Sequence, residues 1–281
     1  MTNIVGKLGK RPAVWHPEVE RFANVKTQVT SFPATPWKPG WGYGDDFHNG
    51  PKGWKQLGNG PCDDGSIPES DSYAYNGVGN CGWAQFGHAF MQEEQDAKIP
   101  ISLFTCASTE NNYAQYLGLQ NYSQINANND QGTDLVEALQ RVASVGFTDA
   151  SNKVHKIGTY ASIEIGNLTE LWEALYLFNH VCLGINFPES AGNQTNNQEI
   201  WSVVPGAQIE GGHCISLVGK PGPDVWTCIT WGQRQTLTTQ FIQTYMDEAY
   251  IYISPERYTK VTGDTPQGYN DYDLTKYLSM L

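Results

Sequence analysis

Positive charge is scarce in this 281-residue chain: Lys and Arg number 17 against 29 Asp and Glu, a formal net charge of −12. Neutralising phosphates takes a dense cationic face, so neither nucleic acid nor an anionic membrane surface is an expected partner. Charge of either sign is thin, at 16% of residues against about 25% in ordinary soluble proteins. Asn, Gln, Ser, Thr and Tyr carry the polarity instead. No apolar run is long enough to span a bilayer; the best, Ala174 to Phe187, is broken by Asn179, His180 and Gly184. The opening MTNIVGKLGKRPAVW lacks an apolar signal core and a small-residue cleavage site, so no signal peptide is expected. Six cysteines form no C-x-x-C pair and no dense framework, which favours isolated thiols in a reducing cytosol.

What is present suggests an α+β protein of two lobes. With 29 glycines and 15 prolines, loops should be plentiful. Residues 1–53, with FPATPWKPGWGYG, read as an extended arm laid over a core by its aromatics. Trp37, Trp41, Tyr43 and Trp54 are packing groups in this reading. Residues 54–254 form the main domain, with an acidic insertion over about 60–76, and 255–281 form a polar tail. Helices are expected from Cys81 to about Gln95 with Asn80 as N-cap, and at 109–117, 134–145 (capped by Thr133) and 168–179 (from Asn167). Strands are expected at 181–187, 213–219, 225–231 and 248–254, with a short helix at about 238–246. A helical lobe therefore precedes an antiparallel β lobe.

The segment GNCGWAQFGHAF places Cys81 in the first turn of a helix. Unpaired N–H groups and the aligned peptide dipoles there favour an anion, so the thiol pKa is expected to fall. A nucleophilic thiol also needs a base, and His213 in EGGHCISLVG is the best candidate, since Gly211 and Gly212 allow close backbone approach. The plainer reading of Cys81 is a buried structural thiol, and of His213 a satisfied strand histidine. His88 is read as a core hydrogen-bonding residue. GVGNCG matches a dinucleotide fingerprint by chance, because no buried strand precedes it. Asn126, Asn128, Asp130, Asp134 and Glu137 stand at calcium-loop offsets, but Gln131 fills the place that needs glycine, so a turn and helix cap is preferred. No metal or cofactor is expected.

The ordered motifs resemble the papain-like cysteine peptidases. NCGWAQF is similar to the Cys-Trp-Ala helix start, GGHCISLVG to the histidine strand, CITWGQ to the Asn-Ser-Trp-Gly stretch and AYIYIS to the closing strand. The separation of Cys81 and His213 lies within the about 130–150 residues usual in that family. The chain is more similar still to an uncharacterised papain-like family of phages and bacteria, sharing Leu57 to Asn59, Gly79 to Cys81, His88, Asp130 to Asp134, Glu210 to His213 and Thr230 to Gly232. The resemblance implies a papain-like fold and a Cys81–His213 dyad acting on a peptide or amide bond, a cell-wall peptide amidase being one sub-case. Oxyanion donors would be the Cys81 N–H with Asn76 or Asn59. The family's histidine-orienting Asn falls at Ile229, leaving Thr230 or a water for that role. A gapless match to Trp83 instead puts Gly82 at the nucleophile position. The other reading is accordingly a catalytically silent fold used as a phage virion component, docked to neighbouring virion proteins through its terminal arms. The expected location is host cytoplasm or virion.

Overall fold

The computed structural model describes residues 7–26, 77–96, 100–252 and 254. The remainder of the arm, Asn59, the acidic insertion with Cys62 and Asn76, and the tail 255–281 lie outside the described residues. After a short α1 (Phe22–Lys26), the helical lobe holds α2 (Cys81–Asp96), α3 (Cys106–Tyr116) and α4 (Leu135–Ser144). Thr105 and Ser108 form a reciprocal capping box on α3. α4 is capped by the Asp134 carboxylate accepting from Glu137 N, one residue later than expected. The Asp134 oxygen reaches the orphan N–H, while Thr133 spends its main chain on residues 9–11. A two-stranded ribbon, β1 (Phe147–Thr148) and β2 (Val154–His155), closes this lobe.

The second lobe is a six-stranded antiparallel sheet. Its elements are β3 (Tyr160–Ser162), α5 (Leu168–Phe178), β4 (Val181–Pro188), α6 (Glu189–Asn196), β5 (Ile209–Gly222), β6 (Val225–Thr230), β7 (Gln233–Thr238), α7 (Thr239–Tyr245) and β8 (Met246–Tyr252). The order across the sheet is β3-β8-β4-β5-β6-β7. Asn167 caps α5 by accepting from Glu170 N.

Both faces of this sheet are buried, which is why β4 reads as a continuous apolar run. Leu183, Ile185, Ile215 and Leu217 face a core shared with α5 and α7. Cys182, Cys214, Ile229 and Tyr250 alternate to the other face and join the α2 core of Trp83, Phe86 and Phe90. This second core fastens the lobes together and sets the start of α2 against the middle of β5. Among the described residues no helix is long and apolar enough to cross a membrane.

Candidate active site

The approach to Cys81 is clamped by the DQGTD turn. The Asp130 carboxylate accepts from Gly79 N at 2.9 Å, from Lys7 Nζ at 2.7 Å and from the Tyr113 hydroxyl. Tyr113 Oη in turn accepts from Gly132 N at 2.8 Å. Asp130 thus fixes the two residues before the cysteine, and Asp134 caps α4, so the calcium-loop offsets mark hydrogen-bonding work. Asn80 caps α2 through its carbonyl, which accepts from Trp83 N and Ala84 N. Its side-chain amide is buried without a hydrogen-bond partner among the described residues, contrary to the side-chain cap expected there.

Cys81 lies against β5: its sulfur accepts from Cys214 N at 3.4 Å. The ring of His213, one residue earlier, stacks on Trp231 with centroids 4.4 Å apart and 11° between planes. The edge of Phe187 meets it at 5.5 Å. His213 Nε2 is 2.7 Å from Thr230 Oγ1, and Nδ1 is buried with no hydrogen-bond partner among the described residues. Thr230 closes β6 opposite Gln233, and the two-residue loop between them has φ of 45° at Trp231 and 68° at Gly232. Positive φ at both positions is the hairpin geometry that follows strand twist, and holding a tryptophan there costs about 1–2 kcal/mol. The strained turn lays the indole flat on the imidazole. Ile229 alternates to the α2 side and cannot reach the ring.

Residues 7–11 run through the groove between the lobes as a strap. Lys10 N donates to Gly212 O at 2.9 Å on the β side. On the helical side Thr133 N donates to Gly9 O at 2.7 Å, and Arg11 N to Thr133 O at 2.8 Å. Gly9 passes so close that a Cβ there would lie 2.0 Å from Gly79 O. Only glycine fits. Leu8 lies on Gly211. The Lys10 side chain dives beneath the strap to Glu248 and Asp247, at 2.8 Å each.

Burial determines the electrostatics. Burial pushes the Cys81 thiol up to about 12, reinforced by Cys214 and only partly opposed by the N–H groups of Cys214 and Gly9. This reverses the expected fall, because desolvation of a thiolate outweighs the helix start. Burial likewise lowers His213 to about 3. Both groups are neutral at pH 7, and among the described residues no hydrogen bond joins them.

In comparisons with known proteins, no family profile and no curated protein matches the chain. Solved structures do match. Xylellain, a cysteine protease from Xylella fastidiosa, superposes with a TM-score of 0.59 at 13% identity, over 90% of this chain and 98% of its own. A procathepsin B from Trypanosoma congolense gives 0.52 at 9% identity, over 88% of this chain and 86% of its own. The fold is papain-like.

Within this papain-like fold His213 and Thr230 are hydrogen-bonded to each other, while Cys81 meets β5 one residue further on, at Cys214. Gly82 faces away, since a Cβ there would meet Leu135 and Thr133 of the helical lobe. Asn76 and Asn59 lie outside the described residues. His88 is buried two turns along α2, held neutral by burial that lowers it to about 3. Cys106 is disulfide-bonded, against the expectation of isolated thiols throughout; Cys81, Cys182, Cys214 and Cys228 are free. The strap was not foreseen: KLGKR carries no periodic signal, and only Gly9 marks a close backbone approach.

Proposed function

We propose that the chain is a cysteine hydrolase acting on a peptide or amide bond, held latent here by its own residues 7–11. The observation that carries this reading is the strap itself. A groove that bonds an extended main chain from both walls, directly over a cysteine at a helix start, is a groove shaped for peptide.

With the strap displaced and water admitted, desolvation no longer holds Cys81 and His213 neutral. His213 Nδ1 takes the thiol proton, while Thr230 steadies the ring through Nε2. The thiolate attacks the carbonyl carbon, and the oxyanion is held by the Cys81 N–H with the amide of Asn76 or Asn59. His213 then protonates the leaving nitrogen, and a water deprotonated by His213 hydrolyses the acyl-Cys81. Catalytically apt contacts in a resting enzyme commonly tighten only when substrate is bound. The similarity of fold to two cysteine proteases supports this chemistry, and the shared motifs support a phage or bacterial setting.

One observation favours the silent reading, in which the fold serves as a virion component: the site as folded joins no thiolate to an imidazolium. A single experiment separates the two. The full-length Gly9→Val variant, whose strap cannot seat, is incubated with a mixed peptide library and new termini are read by mass spectrometry. Cleavage that disappears in Gly9→Val/Cys81→Ser supports the hydrolase; no cleavage supports the silent fold.

A further inference from the structure

We propose that the pocket holding the Lys10 side chain is a specificity subsite for the lysine or arginine of a peptide substrate, read by Glu248 and Asp247. The proposal rests on the peptide-groove reading above. Lys10 follows Gly9, the residue passing over the nucleophile, so its side chain occupies the pocket beside the reacting centre.

The pocket is built around that chemistry. Gly184 stands opposite Glu248 in the β4–β8 pair. A Cβ on Gly184 would lie 2.6 Å from Glu248 Cγ and 2.8 Å from Lys10 Cε, so the missing side chain makes room for both stems. The buried ammonium uses all three donors: Asp247 and Glu248 at 2.8 Å, and Arg11 O at 2.7 Å. Tyr250 Oη donates to the other Glu248 oxygen at 2.9 Å and fixes the carboxylate.

Without a cation the two carboxylates would stand side by side in a poorly solvated site. Burial already raises Glu248 even with Lys10 present. Burial alone would lower the Lys10 ammonium, yet Glu248 and Asp247 more than offset this and leave it raised. An apolar or acidic side chain would leave these charges unpaired, and discrimination follows from that penalty. A cavity of about 370 Å³ lined by Trp15, His16 and Tyr250 is bordered by the same two acidic residues, Asp247 and Glu248.

The test uses the full chain carrying Gly9→Val and Cys81→Ser, with Lys10→Ala/Cys81→Ser as a second background should the first fail to fold. Fluorescent peptides of sequence Leu-Gly-X-Ala-Ala, with X lysine, arginine, norleucine or glutamate, are titrated by anisotropy. The lysine and arginine peptides should bind at least about tenfold more tightly than norleucine, glutamate weakest, and the gap should collapse in Glu248→Gln. Equal binding of lysine and norleucine, or no binding of the lysine peptide, overturns the proposal. Hydrolysis is read separately with Cys81 intact. Selective binding without cleavage sinks the hydrolase and keeps the subsite; cleavage indifferent to lysine or arginine does the reverse.

Discussion

The main-chain N–H of Cys214 donates to the sulfur of Cys81 across 3.4 Å, joining the first turn of one lobe to the central strand of the other. The residue before Cys214 is His213, so this contact sets the first turn of α2 against the strand that carries the imidazole.

Cys81 is buried beneath the strap. Burial pushes its thiol from the ordinary value near 9 up to about 12. Alkylation of the native wild type at Cys81 should therefore be slow at neutral pH and keep rising well beyond pH 9. The thiol is neutral when folded, so its contribution to stability is complete below pH 9 and is lost as pH climbs toward 12. Chemical denaturation of wild type and Cys81→Ala across pH 8–11 should show the two curves separating only in that upper range.

Thr230 holds His213 through the 2.7 Å hydrogen bond between its Oγ1 and the ring Nε2. Thr230→Val should leave Nε2 buried and unpaired at a cost of about 1–3 kcal/mol. Thr230→Ser should restore most of that stability. Urea unfolding of the three proteins measures the order.

Two buried histidines predict acid sensitivity. His213 and His88 are both lowered to about 3 by burial. A depressed folded pKa means stability is present above the ordinary value of 6.5 and is lost as pH falls toward 3. Each histidine should contribute up to about 1.4 kcal/mol per pH unit in that window. His88→Gln should flatten the dependence of unfolding free energy on pH between 6 and 4, measured against wild type.

Asp130 anchors the residues before Cys81 with three donors, one of them the Lys7 ammonium. Asp130→Ala should cost about 2–4 kcal/mol and loosen both the α2 start and the strap. Faster hydrogen exchange at Gly79 and at residues 9–11 than in wild type would report it.

The sequence made parts of this plain for physical reasons. β4 and α5 carry unbroken apolar patterns because each is buried, and their bounds fall within a residue or so of expectation. The polar edge strand β7, QRQTLT, and the short α6, ESAGNQTN, bury too little to leave a pattern, and both were missed. At the site, helix position alone predicted a lowered Cys81 pKa. Burial reversed it, because packing between the lobes removes the solvent that a thiolate needs. Ile229 and Thr230 were separable only through strand alternation, which the structure realises by turning Thr230 toward the ring.

The most direct measurement is the rate of Cys81 carboxamidomethylation by iodoacetamide at pH 7, read by mass spectrometry in full-length Gly9→Val and Gly9→Val/His213→Ala. The account predicts that Cys81 in Gly9→Val reacts at least about tenfold faster than Cys182, Cys214 or Cys228, and that removing His213 abolishes the advantage. A Cys81 that stays as slow as its neighbours once the strap is displaced, or that reacts equally fast without His213, would contradict it.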